Sequence, residues 1–379
     1  MQGAAPRSTS TPSYSAEFLR VKGQAERGVV QAQHSLGFMY VSGQGVPKND
    51  ELAVVWYRMA AASGLAQAQY NLGVMLQKGQ GVAQDFGQAA HWYGRAAEQG
   101  YAPAQYNLAW LYAKGHGVPS DVGQALHWFS QAAEQGEPGA QHNLGMMFET
   151  GKGVPQDQEA ALDWYRRAAS QGYVRSQYNL GLRYDAGQGV ARDPEQALAW
   201  MRKAAEQGHL RAQFDLGLRY ENGNGVAQDS GQALAWYRRA ASQDYAPAQY
   251  MVGALLDRLD AGDPAEATDW FHKAADHQHA LAQFELGLRY DCGKGVERDY
   301  EAAHFWYLCA ARQGHARAQF NLGVMYATGQ GAQRDLVEAY AWLHRAGAAN
   351  VAPASAYLAR IASKMEPQQL SQAERLISA

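Results

Sequence analysis

Apolar residues return along the chain in two alternating helical stripes. In residues 66–101, Ala68, Leu72 and Leu76 fall at i, i+4 spacing, and Ala89, Trp92, Tyr93, Ala96 and Ala97 follow at offsets 0, 3, 4, 7 and 8. Each set covers one face of a helix. The first predicts a helix over about Ala68–Lys78, termed A; the second predicts a helix B whose N-cap is Asp85. Gln88, three residues on, has the spacing of a capping box, and Asp121/Gln124, Asp193/Gln196 and Asp335/Glu338 repeat it. Gly100 stops helix B, as Gly64, Gly136, Gly172, Gly208 and Gly314 do in register.

The pair recurs. Leu-Gly or a close variant stands at Leu36, Leu72, Leu108, Leu144, Leu180, Leu216, Val252, Leu286 and Leu322, spaced by 36 residues except for 34 between Val252 and Leu286. Ala-Gln precedes each, with Ser176 as the one departure from Ala. Nine of the ten tryptophans occupy a single register position, leaving Trp110 apart. Gly-x-Gly shares the period, from Gly43/Gly45 and Gly79/Gly81 to Gly329/Gly331. Alone, "GQGVAQDFGQAAHWY" (79–93) reads like a phosphate loop, but no copy carries a following Lys-Ser/Thr or a bracketing strand. The first glycine suits a left-handed helix stop and the second lets the chain reverse.

A two-helix unit cannot bury its apolar stripes alone, so neighbours must stack. The fold expected is all-α, an α/α right-handed superhelical solenoid of about nine 36-residue helix-turn-helix repeats with capping helices at both ends. Residues 1–12 read as a disordered tail, 13–28 as a degenerate capping helix, and 29–350 as the array, with an irregular repeat at 248–281. "GALLDRLDAGDP" (253–264) lacks the Gly-x-Gly-Val turn there. Residues 351–379 read as a half-repeat, Ala354–Lys364, and a cap with Pro367 at its start and a stripe through Leu370, Ala373, Leu376 and Ile377. Each repeat Trp is expected to bury enough area that its truncation to Ala costs about 3–5 kcal/mol.

The unit A-Q-Y-N-L-G-(x2)-Y/L-(x2)-G-x-G-V-(x2)-D-(x3)-A-(x2)-W-Y-(x2)-A-A-(x2)-G, over about residues 30–350, resembles the Sel1-like repeat, a relative of the tetratricopeptide repeat. The regular succession of units resembles bacterial chains. The resemblance implies a superhelix that holds other proteins. It also admits an immunity-type inhibitor that neutralises one toxin or effector enzyme. A cysteine-rich branch of the family is associated with β-lactams, so a β-lactamase-like enzyme is a third reading by analogy alone.

Composition narrows the partners. A formal charge of -3 gives no global attraction for nucleic acid, and no apolar run is long enough for a membrane span. No signal peptide is visible in the first 28 residues, so the chain reads as cytoplasmic as written; a removed leader would place it in the periplasm or outside. The two cysteines, Cys292 and Cys309, fall at opposite ends of an antiparallel helix pair and read as free thiols. No H-E-x-x-H, G-x-S-x-G or S-x-x-K occurs. His272, Asp276, His277 and His279 form the densest ligand-type cluster, without closing ligands, and no cofactor, metal or catalytic residue is expected.

With the Leu of Leu-Gly as zero, helix positions -1, +2, +3 and +6 gather opposite the partner helix and would line a concave groove. That strip carries Phe38, Met39, Asn71, Met75, Asn107, Trp110, Leu111, Asn143, Met146 and Met147, then Asn179, Arg183, Asp215, Arg219, Glu285, Arg289, Asn321 and Met325. Asn amides suit an extended backbone, and Met and Trp supply adaptable apolar contact. About nine units of ~10 Å would span ~90 Å, room for about 25 extended residues. The competing reading is that +2 and +3 pack on the next unit, with Asp215–Arg219 and Glu285–Arg289 as ion pairs within one helix. Trp110 adds an indole where other units are smaller; with Ala109 replacing Gly beside it, local repacking is the alternative.

Overall fold

A computed structural model describes residues 14–259 and 263–378; the tail expected at 1–12 and the centre of the irregular turn lie outside them. The described residues form 21 helices and no strand. After α1 (Ala16–Glu26) come nine A/B pairs. They are α2/α3 (Val30–Ser42, Asp50–Ala62), α4/α5 (Ala66–Lys78, Phe86–Glu98), α6/α7 (Ala102–Lys114, Val122–Glu134), α8/α9 (Pro138–Thr150, Gln158–Ser170) and α10/α11 (Val174–Ala186, Pro194–Glu206). Then follow α12/α13 (Leu210–Asn222, Ser230–Ala241), α14/α15 (Ala246–Leu259, Pro264–Asp276), α16/α17 (Ala280–Cys292, Tyr300–Arg312) and α18/α19 (Ala316–Thr328, Leu336–Ala348). Helices α20 (Ala354–Ala362) and α21 (Pro367–Ser378) close the chain. The chain divides into two compact units, 1–200 and 201–379. Within each, successive helices stack as antiparallel pairs, pair upon pair.

Each A helix of the nine pairs except α14 ends on the first glycine of Gly-x-Gly, at φ 69–80°. The loop then returns so that the N-cap amide of helix B donates to helix A: Asp85 N to Leu76 O at 2.9 Å, Asp121 N to Tyr112 O at 3.0 Å. This differs from the expected capping box. Asp85 Oδ1 does accept from Gln88 N at 2.9 Å, but the Asp85 amide is already bonded, so the Gln88 side chain reaches only the Asp85 carboxylate. The second glycine has a role beyond reversing the chain. A Cβ at Gly81 would lie 2.8 Å from Glu51 N and closer still to the Asp50 carbonyl, in the first turn of the preceding repeat's helix B. Gly117, Gly189, Gly295 and Gly331 abut the same turn of their own predecessors. It is a contact between repeats.

The centre of each hairpin is the residue after the repeat Trp. Tyr93, Tyr165, Tyr237 and Tyr307 are fully buried, lying flat on the Gly of Leu-Gly; a Cβ at Gly73 would come within 2.7 Å of the Tyr93 ring. The tryptophans are mostly half-buried; only Trp236 and Trp342 are buried. A cation three residues on covers the outer face of several: Arg167 over Trp164 (4.5 Å), Arg239 over Trp236 (4.4 Å) and Lys273 over Trp270 (4.0 Å).

The Gln of Ala-Gln joins successive repeats. Gln69 Nε2 donates to Ala61 O at 3.1 Å, a C-terminal carbonyl of the preceding helix B, and its Oε1 accepts from Gln99 at 2.7 Å. Gln105, Gln141, Gln213 and Gln283 repeat both bonds. These buried amides supply carbonyls a helix end would leave unmet. The seventh repeat, two residues short, breaks the series: no Gln stands thirty residues on, and Gln249 Oε1 is buried without a partner.

At the start, α1 takes the place of a preceding helix B: Phe18, Val21 and Ala25 are buried, Ala25 O accepts from Gln33, and Ser15 N donates to Gly45 O. At the end, α20 and α21 both pack on α19, burying Ile361 and Ala373. Leu376 of the expected stripe is exposed, but its carbonyl accepts from Arg345 at 2.9 Å.

Candidate functional site

The structure removes position +3 from the surface in every repeat except the sixth, where Arg219 is half-buried. Met39, Met75, Leu111, Met147, Arg183, Arg289 and Met325 are buried, Leu111 completely. They seal the junction with a neighbouring repeat, so they cannot serve as an open groove wall. The arginines are ion-paired across repeats. Tyr165 Oη donates to Glu149 at 2.5 Å, and Glu149 pairs with Arg183 of the next repeat, which also donates to Gln158 Oε1 at 2.5 Å. Burial, then the Glu149 carboxylate, raises the Tyr165 pKa, keeping the hydroxyl a donor. Tyr237, Glu221 and Arg258 form a similar set. Arg289 pairs with Asp257, thirty-two residues back, and donates to Thr268 Oγ1 at 2.8 Å and Pro264 O at 3.0 Å. The Glu285–Arg289 bond expected within one helix is therefore replaced by one between repeats. Burial raises the Glu285 pKa, and Arg289 partly offsets this. Asp215 and Arg219 are half-buried.

The Asn positions are half-buried, and several already face inward. Asn71 Nδ2 lies 2.9 Å from His34 Nε2. Burial lifts the Tyr57 pKa to about 12 despite a hydrogen bond from Asn71, and Asn107, Asn143 and Asn179 bear in the same way on Tyr93, Tyr106 and Tyr165. Asn321 is half-buried too. Only part of each amide remains for a ligand.

Position +2 stays accessible. Phe38 is 52% and Met146 44% exposed, and Trp110 is half-buried, its edge against His116 at 5.2 Å. Trp110, Asn143, Met146 and Met147 meet around one pocket of ≈ 400 Å³ between α6 and α8, with α7 as its floor. Phe38 lies apart, in a depression between α1 and α2.

Two linked departures open the pocket. In the second, fourth and sixth repeats the helix-B tyrosine bonds a polar residue at +5 of helix A, as Tyr93 bonds Gln77 at 2.7 Å. In the third repeat Phe129 replaces the Tyr and Ala113 the polar residue. The floor thus loses a hydroxyl, an acceptor and volume together. The rim carries Lys114, Lys152 and Arg175, all exposed, and no carboxylate. Sequence reading missed Ala113, Phe129 and the three cations; the paired loss of the tyrosine and its polar partner was the available signal, though the ninth repeat shares it with Leu343 and Ala327.

His142 also lines the pocket, and its Nδ1 lies 2.9 Å from Ser176 Oγ. Residues that break the repeat at two positions thus touch each other. Burial first, then the Arg175 charge, lowers the His142 pKa to about 4. A neutral buried histidine stabilises fully above the ordinary value of 6.5 and loses that contribution as pH falls toward about 4. Wild type should lose on the order of 2 kcal/mol more than His142→Tyr/Ser176→Ala between pH 7 and 5 in urea unfolding. Equal losses would show that His142 does not stay neutral.

The histidine cluster of the seventh repeat is otherwise engaged. His279 Nδ1 accepts from Ala282 N as an N-cap, and His272 Nε2 lies 3.1 Å from Tyr290 Oη. Among the described residues no three His, Cys, Asp or Glu gather where they could hold a metal ion. Cys292 and Cys309 are free, and no described helix is long and apolar enough to cross a membrane.

Nine successive hairpins, most of which share the turn glycines, the glutamine bonds and a central aromatic, define a tandem helical-repeat protein. The chain belongs to the Sel1 repeat family, whose profile matches residues 30–65, 66–101, 102–137, 138–173, 174–209, 210–245, 246–279, 280–315 and 316–351. It is similar to a protective antigen present in uropathogenic Escherichia coli strains and displaying an SLR fold: 36% identity, 94% of this chain and 85% of that one covered, TM-score 0.51. A Sel1 repeat protein from Oxalobacter formigenes is 31% identical over 59% of this chain and 94% of that one, with a TM-score of 0.54. An immunity protein from Pseudomonas aeruginosa reaches 19% identity over 64% and 88%, at a TM-score of 0.36, and carries no argument about function. No curated protein matches the chain.

Proposed function

We propose that this chain is a non-enzymatic scaffold that holds a segment of a partner protein against the A-helix face of its first unit. One observation carries the reading: in a fold that buries position +3 in every repeat but the sixth and satisfies its polar belt internally, Trp110 and Met146 remain accessible around an apolar pocket. A thioether beside an indole offers adaptable contact area, and Asn143 lies alongside for a partner's backbone.

Cross-linked capture from native cells with the full chain and its Trp110→Ala/Met146→Ala variant tests this. Capture should fall about tenfold or more while the melting temperature shifts by only about 4 °C. Undiminished capture would place the partner elsewhere, and parallel loss of capture and stability would reduce the effect to folding. One stoichiometric enzyme that loses activity in the complex would mark the scaffold as an inhibitor.

A further inference from the structure

We infer that the pocket between α6 and α8 receives an apolar side chain from an acidic segment of the partner, whose carboxylates meet Lys114, Lys152 and Arg175. This rests on the partner-binding reading above and adds the chemistry of the ligand. The floor argues for the apolar anchor. Phe129 and Ala113 present carbon where the second, fourth and sixth repeats place a hydroxyl and its acceptor, so a buried polar group would find no partner there. The opening suits one aliphatic or aromatic side chain.

The rim argues for the sign of the flanking charge. Three exposed cations come from three places: the end of α6, the loop after α8 and the start of α10. The nearby Glu149 is already bonded to Arg183 and Tyr165, and no carboxylate lines the pocket. His142, held neutral by burial at pH 7, adds no charge. A basic segment would meet three like charges; an acidic one would be attracted at a distance and oriented on arrival. Nucleic acid fits poorly, because the cations surround a closed apolar floor instead of following a line, and the whole chain is net negative.

The test is selection of random twelve-residue peptides displayed on phage against the full chain. Enriched peptides are synthesised with a fluorescein label and titrated by fluorescence anisotropy. The comparison proteins are Lys152→Glu/Arg175→Glu, which changes only exposed side chains, and Ala113→Leu, which fills the floor. Enriched peptides should pair Asp or Glu with a Phe, Leu or Trp. Their affinity should fall about tenfold or more for either variant, and should weaken as salt rises from about 50 to 300 mM. Basic or uncharged winners, or acidic winners indifferent to the charge reversal, would overturn this inference while leaving peptide binding intact. Failure to enrich any peptide would overturn both. The charge-reversal arm keeps the result decisive even if Ala113→Leu disturbs folding.

Discussion

Gly81→Ala is expected to destabilise the first unit by about 4 kcal/mol or more, whereas Gly79→Ala should cost about 1–2 kcal/mol and Gly100→Ala about 1 kcal/mol. All three glycines have positive φ: 68°, 69° and 80°. A common backbone strain therefore applies to each, and surroundings set the difference. Nothing lies within 4 Å of a Cβ at Gly100, and one at Gly79 would meet Gln84 Cβ at 3.3 Å. At Gly81 the added carbon enters the Asp50–Glu51 backbone of the previous repeat, which cannot yield as a flexible side chain can. The chain itself supplies a control: at the place of Gly100, Asp244, Gln278 and Asn350 stand in other repeats at φ 59–60°. Urea unfolding of the three variants should give three distinct midpoints. Equal shifts would leave backbone strain as the only cause and remove the inter-repeat contact.

The second large effect concerns Tyr93→Ala, expected to cost about 3–5 kcal/mol against about 1–3 kcal/mol for Trp92→Ala. Trp92 has the larger side chain but lies half-exposed, so part of its surface is never withdrawn from water. Tyr93 is 0% exposed, fills the space above Gly73 and donates to Gln77. Truncation leaves a cavity and an acceptor without its donor, two penalties that add. Thermal and urea unfolding of the two variants would compare them directly, and a greater loss from Trp92→Ala would place the hairpin's centre on the tryptophan after all.

Much of the fold is legible in one copy of the repeat. Asp85 as N-cap, Gly79 as helix stop and the apolar stripes of α4 and α5 follow from spacing alone, because local sterics and helix periodicity set them. What requires three dimensions is whatever joins one repeat to the next. Arg289 has an acidic neighbour four residues away on its own helix, yet finds Asp257 because burial orients it across the junction. A Trp and the Tyr after it look equally apolar in sequence; the depth of each depends on the glycine opposite, in another helix. The candidate site was half visible. Trp110, Asn143 and Met146 stand out on a wheel, whereas Lys152 and Arg175 belong to a loop and a different helix and meet the others only after folding.

The glutamine bonds bear on how such chains change length. Because Gln69 reaches back eight residues to Ala61, and Gln105 likewise to Ala97, excising residues 66–101 would bring Gln105 to the same offset from Ala61. A whole-period deletion heals its own seam, while a partial one strands buried amides on either side. Gene duplication and loss can therefore add or drop modules in register, tuning the extent of a docking surface without inventing a new join.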